Sequence, residues 1–314
     1  GIKARMLTTL NAIAPIFLVI ITGYLLKRSR FIPSEMWPII EHVCFYLLMP
    51  FLIIRTLARA DLGEIPIADF AIVITGGVIG MALLLLALRP IGAQRFGITG
   101  PSFTSLFQGA TRFHGFMALA IVGSLYGEEG VALSGIAIGV MVPLINILNV
   151  AVLTVFGEAE ATPDWRTVLL KIVSNRLIVA CVISFALNLT GVPEFVYGAI
   201  DIIGDGGLGL ALLAVGAGLN IGQALETKTL VAVGVLMRLI GMPLLVVGLS
   251  ILIGLDGLAR TIAIITGAVP TASSAYVMAR QMGGDAELMA NITTVQVLLA
   301  AITLPLFIII AEQI

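Results

Sequence analysis

A hydroxyl-rich segment that contains a proline, Gly267–Ala275, is the first place in the chain where chemistry can be expected. It reads Gly-Ala-Val-Pro-Thr-Ala-Ser-Ser-Ala and lies inside a long hydrophobic run. Pro270 has no N–H group and clashes with the preceding turn, so it predicts a bend or an opening of a helix. The hydroxyls of Thr271, Ser273 and Ser274 stand beside this break. A broken, hydroxyl-lined helix within a membrane is typical of a solute-binding site.

A second polar segment, residues 108–115, interrupts another hydrophobic run and reads Gln-Gly-Ala-Thr-Arg-Phe-His-Gly. Its two glycines predict a break in the first half of the chain. Arg112 is always cationic and offers a fork of donors that suits a carboxylate, although a side chain at this depth can also extend to the cytoplasmic surface. His114 titrates near neutral pH and could bind an anion or carry a proton. We assign Gln108 and Thr111 to the same substrate-binding site, together with Pro270 and the three hydroxyls.

Other polar residues inside hydrophobic runs are candidates for a pathway or an ion site. Arg238 would neutralise a helix end or a substrate charge, or else tether a neighbouring helix through its backbone carbonyls. Small polar residues in spans often hold helices together, so packing is the competing interpretation for the amides and hydroxyls. Tyr46 precedes Pro50 and could stand at a kink. The candidates are Tyr46, Asn146, Arg238, Asn291 and Thr294.

Carboxylates are missing near either predicted break, and this limits the mechanisms that the chain can use. Coupling through a relay of buried acids requires carboxylates within the membrane. A sodium site built from carbonyls and hydroxyls stays open, as does coupling to a proton. Cys44 and Cys181 both lie in apolar runs and form no metal-binding pattern. No cofactor and no metal are therefore expected.

The composition indicates a protein of the lipid bilayer. Hydrophobic residues make up 59% of the 314 residues and charged residues 11%, whereas a soluble domain has about 25% charged residues. The net charge of −1 and the lack of a basic cluster predict no nucleic-acid partner.

Hydrophobic runs of about 20 residues, the length that crosses a bilayer, occur ten times. The polar stretch after the fifth run divides the chain into two five-span halves, and an odd number per half makes the second half inverted. We therefore predict an all-α fold of two inverted repeats, residues 1–156 and 168–314, joined by a linker at 157–167, with helices 4 and 9 broken. The predicted spans are 8–26, 36–57, 66–88, 102–126, 131–156, 168–190, 204–224, 229–254, 258–281 and 286–310.

Basic residues concentrate in the loops that follow odd-numbered spans, and the side richer in Lys and Arg faces the cytoplasm. This predicts a multi-pass membrane protein with both termini on the side opposite to the cytoplasm.

Three segments of the sequence resemble the auxin efflux carrier family in its bacterial, malonate-permease-like branch. They are residues 45–50 (Phe-Tyr-Leu-Leu-Met-Pro), residues 108–116, and residues 269–276 (Val-Pro-Thr-Ala-Ser-Ser-Ala-Tyr) followed by Gly-Gly-Asp-Ala-Glu at 283–287. His114 stands where the family often has asparagine, which leaves the solute open and could introduce pH dependence.

The resemblance implies ten spans in an inverted repeat, with helices 4 and 9 unwound and crossing at the centre of the bilayer. It also implies a scaffold of helices 1, 2, 6 and 7, a transport bundle of helices 3–5 and 8–10 that moves like an elevator, and a homodimer. The solutes of the family are organic anions such as auxin and, in bacteria, small carboxylates including malonate.

Together these observations favour a secondary transporter of a small organic anion and not an enzyme. The alternative within the same class is a sodium-coupled symporter similar to the bile-acid carriers. A membrane sensor and an intramembrane aspartyl protease are more remote. Asp201 and Asp205 lie one turn apart on one helix, whereas a protease needs its two aspartates on facing helices.

Overall fold

The computed structural model describes residues 2–59, 66–158, 166, 170, 176–191, 193–222 and 228–314, and within these ranges all regular structure is helical. Most of the predicted linker at 157–167 and the first residues of predicted span 6 lie outside them.

The described residues up to Phe156 form six α-helices, two of which are joined by a wider, π-helical turn. Helix α2 continues through the π turn Cys44–Leu48 into α3. The helices are α1 (Ile2–Arg28), α2 (Met36–Val43), α3 (Met49–Arg59), α4 (Ile67–Phe96), α5 (Gly100–Thr111) and α6 (Gly115–Phe156).

The C-terminal part repeats this use of a π turn. Helix α10 passes through the π turn Met237–Gly241 into α11. The helices are α7 (Arg176–Thr190), α8 (Glu194–Asp205), α9 (Gly207–Ala217), α10 (Lys228–Leu236), α11 (Met242–Ile253), α12 (Gly257–Ala268), α13 (Ser274–Gln281) and α14 (Ala286–Ala311).

A proline follows each π turn closely. Pro50 and Pro243 have no N–H group to donate to the carbonyls of Tyr46 and Leu239, four residues earlier. Both carbonyls lie inside the π turns. The extra residue per turn relieves the clash of the proline ring while the helix continues on either side.

Seven helical stretches in the described ranges are long and apolar enough to cross a membrane, which confirms an all-helical, multi-pass membrane protein. Helices α5 and α6 together make one 57-residue stretch that covers predicted spans 4 and 5, and Gly127 (φ 60°, ψ −150°) leaves the helical conformation inside it. A further stretch begins at Glu194 and not at 204 as predicted, because α8 and α9 follow one another with only Gly206 between them. The stretches are Thr9–Arg28, Met36–Arg59, Ile67–Phe96, Gly100–Phe156, Glu194–Ala217, Thr229–Ile253 and Ala286–Ala311.

The chain divides into two compact units that do not follow the order of the sequence. The first unit contains the described parts of Gly1–Ile67, Gly115–Gly139 and Val173–Leu219. Helices α1 and α9 approach closely in it, because a Cβ atom on Gly216 would stand 1.7 Å from the carbonyl oxygen of Ile20. The division into repeats at residue 156 stays a prediction.

The second unit contains the described parts of Ala68–His114, Val140–Ile172 and Asn220–Ile314. Ile292 of α14 is fully buried in its core. Its side chain fills the space left by two glycines, since a Cβ atom on Gly109 of α5 or on Gly234 of α10 would stand 2.9 Å from an Ile292 methyl group. Three helices therefore meet at one side chain.

Candidate functional site

The first helix interruption lies in the second unit, between α5 and α6. Helix α5 ends at Thr111, and Arg112 takes up an extended conformation (φ −75°, ψ 152°). His114 also leaves the helical region (φ −92°, ψ 89°) before α6 starts at Gly115. The hydroxyl of Thr111 donates to the carbonyl of Phe107 at 2.7 Å, and this side chain is fully buried.

The second interruption separates α12 from α13. Val269 is extended (φ −66°, ψ 148°), and the helix resumes at Ser274. Pro270 and Thr271 are buried between the two helices. The hydroxyl of Thr271 donates to the carbonyl of Gln108 at 3.4 Å, so the two interrupted segments are in direct contact within the unit.

A glutamine outside the predicted set of site residues completes this contact. The side-chain oxygen of Gln296 accepts the N–H of Thr271 at 2.9 Å. Its nitrogen donates to the carbonyls of Gly109 at 2.9 Å and Gly234 at 3.0 Å. Gln296 therefore satisfies three buried backbone groups near the interruptions. Its only signal in the sequence was its polarity inside an apolar span.

Arg112 is buried, with 8% of its surface exposed, and reaches from the first interruption to the second. Nη1 donates to the Oγ atom of Ser274 at 3.1 Å, and Nη2 donates to the Oδ1 atom of Asn146 at 2.7 Å. Nη2 also lies 3.4 Å from the sulfur of Met278, while Nε has no partner among the described residues. In the described ranges, no carboxylate forms an ion pair with this guanidinium.

Two buried carboxamides stand out in the same unit. The side chains of Gln108 and Asn291 are fully buried, and neither has a hydrogen-bond partner for its amide nitrogen or oxygen among the described residues. Buried polar groups are nearly always hydrogen-bonded. An unpaired carboxamide is therefore a candidate contact for a solute or a water molecule.

The remaining predicted residues have varied surroundings. His114 is buried with 3% exposure, and Ser273 is half-buried just before α13. The hydroxyl of Thr294 accepts a hydrogen bond from the N–H of Asn220 at 3.1 Å. Both residues are distant in sequence from the two interruptions. Tyr46 belongs to the first unit, where its ring lies 4.2 Å from that of His42.

Arg238 is the second buried cation of the unit and is completely enclosed. Among the described residues its hydrogen-bond partners are backbone carbonyls, and the nearest, that of Val269, lies 2.7 Å from Nε. The two arginines therefore have different partners. Arg112 contacts side chains and its Nε has no partner among the described residues. Arg238 donates hydrogen bonds to backbone carbonyls at helix ends.

The geometry suits the binding of a small anion. A guanidinium binds a carboxylate through two parallel hydrogen bonds, and Ser274 begins a helix whose N-terminus carries partial positive charge. In the described ranges, no group of His, Cys, Asp and Glu side chains could hold a metal ion.

Comparison with known proteins agrees with this description. The family model described as membrane transport protein matches residues 8–308. An uncharacterized transporter of Methanothermobacter thermautotrophicus is 22% identical over 307 residues, 95% of this chain and 96% of that protein. Auxin efflux carrier component 6 of Arabidopsis thaliana is 31% identical over 148 residues, 45% of this chain but 24% of the plant protein.

These matches confirm the resemblance that the sequence motifs indicated, and they extend over nearly the whole chain. The family consists of transporters and not of enzymes. The chain belongs to the membrane transport protein family to which the auxin efflux carriers are related.

Proposed function

We propose that this transporter carries a small organic anion, a carboxylate, and that the anion binds where the two interrupted helices meet. Arg112 is the observation that carries the proposal. Its guanidinium is buried, and its partners Ser274, Asn146 and Met278 are all neutral. A buried charge that lacks an opposite charge is costly, so an anionic solute would stabilise the site as it binds.

Groups around Arg112 complete the proposed site with hydrogen-bond donors. The N-terminus of α13 begins at Ser274, next to the guanidinium, and adds partial positive charge. The hydroxyls of Thr271 and Ser273 precede it, and the unpaired carboxamide of Gln108 lies on the contacting segment. His114 is included in the site as a buried group near Arg112 in the chain.

The proposed movement is of the elevator type, in which one group of helices carries the solute across the membrane. The division of the chain into two compact units supports it, because the second unit contains every predicted substrate-binding residue and every pathway candidate except Tyr46. The proposal includes ten spans with an inverted repeat, helices that cross at the bilayer centre, a homodimer, and a bacterial inner membrane with both termini in the periplasm.

Uptake of labelled malonate and related dicarboxylates into liposomes that contain the purified protein tests the site. We expect Arg112→Gln to lower kcat/KM by about 100-fold or more, the usual loss when one partner of a buried charge pair is removed. Arg112→Lys should retain part of the activity. His114→Ala and Pro270→Ala should also reduce uptake.

The matched control is Arg260→Gln, because Arg260 lies in the same unit but donates to the backbone carbonyls of Leu255 and Ile314, away from the proposed site in sequence. Normal uptake by the control together with normal uptake by all the site variants would overturn the proposal. Loss of uptake in the control as well would show that any arginine substitution damages the protein.

A further inference from the structure

The guanidinium of Arg238 lies at the C-terminal ends of interrupted helices, where many transporters hold an ion. The residue lies in the π turn between α10 and α11, and its side chain has no exposed surface. Nε donates to the carbonyl of Val269 at 2.7 Å, and Nη2 donates to the carbonyl of Thr266 at 2.9 Å. Nη1 lies 3.4 Å from the carbonyl of Ala110.

These three carbonyls belong to the C-terminal ends of the two interrupted helices. Thr266 lies in the last turn of α12, Val269 follows its end, and Ala110 lies in the last turn of α5. The last four carbonyls of a helix have no partner within the helix. They give a helix C-terminus a partial negative charge of about half an electron.

Each helix that ends inside the membrane therefore creates a negative end that needs a positive partner. In transporters with broken helices, half-helix C-terminal ends and unwound carbonyls coordinate sodium ions or protons. Here the contact to both ends is made by one guanidinium. Among the described residues, no carboxylate pairs with Arg238, so the two helix ends are its counter-charge.

We propose that Arg238 is a positioning residue that permanently supplies the cation for both helix ends. Its side chain takes the place of a dissociable monovalent cation, so the wild-type carrier binds no sodium ion at these carbonyls and transport does not depend on one. The proposal concerns the two helix ends and does not rest on the identity of the solute.

A simple tether would involve the same hydrogen bonds but would not depend on charge. Arg238→Lys keeps the charge with fewer directed donors, whereas Arg238→Gln keeps a donor and removes the charge. A role of the charge predicts that Lys preserves the protein better than Gln does. A tether that acts only through hydrogen bonds predicts no such difference.

Arg238→Ala leaves space for a free ion, which gives the most direct experiment. We would measure the melting temperature of the purified variant in detergent with choline as the only cation, and then add sodium or guanidinium well below denaturing concentrations. Without these ions, we expect the melting temperature to fall by roughly 10 °C relative to wild type, as for the loss of a buried ionic partner. Guanidinium should restore most of the loss and sodium part of it.

The wild type and Arg260→Ala are the controls, since Arg260 also donates to a backbone carbonyl, that of Leu255, but near a helix start. Neither should respond to sodium or guanidinium. An Arg238→Ala protein that responds no more than the controls would overturn the proposal. If that variant cannot be purified, equal stability of Arg238→Lys and Arg238→Gln would overturn it.

Transport is the second readout. Uptake by the wild type should be the same in sodium and in choline, whereas uptake by Arg238→Ala should require an added cation. A sodium requirement of the wild type would contradict the proposal. Absence of uptake of every anion tested would count against the proposed function alone, because the melting experiment does not use a solute.

Discussion

The guanidinium of Arg112 donates a hydrogen bond of 3.1 Å to the hydroxyl of Ser274, although 162 positions of the chain separate the two residues. The bond joins the end of one interrupted helix to the start of another. Ser274 is exposed whereas Arg112 is buried. The pair therefore connects an exposed hydroxyl group to a buried positive charge.

This pair should act as one binding unit. We expect Ser274→Ala to raise KM for the transported anion about tenfold, while the exposed position keeps the change in melting temperature small. A double-mutant cycle with Arg112→Gln should be non-additive, because residues in contact couple by about 0.5–3 kcal/mol. Additive effects on uptake would show that the two residues do not share the solute.

Gln108 should contribute to solute binding and little to the stability of the empty protein. Its buried carboxamide lacks a partner among the described residues, and replacing an unsatisfied buried group by an apolar one is often neutral or stabilising. We expect Gln108→Met to leave the melting temperature unchanged or higher and to raise KM about tenfold, the loss of roughly one hydrogen bond. A clear drop in melting temperature would show that the carboxamide has a structural partner.

Gln296 should behave in the opposite way. Its side chain satisfies the N–H of Thr271 and the carbonyls of Gly109 and Gly234. Gln296→Leu would remove these bonds and leave the N–H of Thr271 and the carbonyl of Gly109 without this partner, at about 1–3 kcal/mol for each unsatisfied buried group. We expect a loss of stability of about 3 kcal/mol or more, measured by thermal unfolding, and Gln313→Leu at the exposed C-terminal end is the control. Equal stability of both variants would contradict the assignment.

Gly216 should tolerate no side chain. A Cβ atom there would stand 1.7 Å from the carbonyl oxygen of Ile20, so Gly216→Ala must separate α9 from α1. We expect a destabilisation of about 1–3 kcal/mol or more, the range for overpacked cores. Gly80→Ala is the matched control, because nothing lies within 4 Å of its added Cβ atom, and it should stabilise the helix by about 0.5–1 kcal/mol. A milder effect at Gly216 than at Gly80 would be inconsistent with the close approach.

The helix interruptions could be predicted because their causes are local. Pro270 has no N–H group with which to continue a helix, and α12 and α5 end at Ala268 and Thr111, within the two predicted segments. For Arg238 the sequence left two roles open, and its contacts with backbone carbonyls agree with both a tether and a neutralised helix end.

The partners of the freed backbone groups could not be predicted, because they depend on the rotation of helices that are distant in sequence. Gln296 resembled its neighbours Thr293 and Thr294 in polarity and position, yet only its side chain reaches three backbone groups at once. The π turns add to this uncertainty. One extra residue at Met237–Gly241 rotates every later side chain of the helix, and no hydrophobic pattern in the sequence records that rotation.

The position of Ile292 has a consequence for how the second unit can rearrange. Its side chain fits against Gly109 of α5 and Gly234 of α10 at the same time, so neither helix can slide along α14 without forcing a backbone against a branched side chain. The packing of Ile292 against both glycines therefore holds α5, α10 and α14 in register. We therefore expect α5, α10 and α14 to move together in any rearrangement of the second unit.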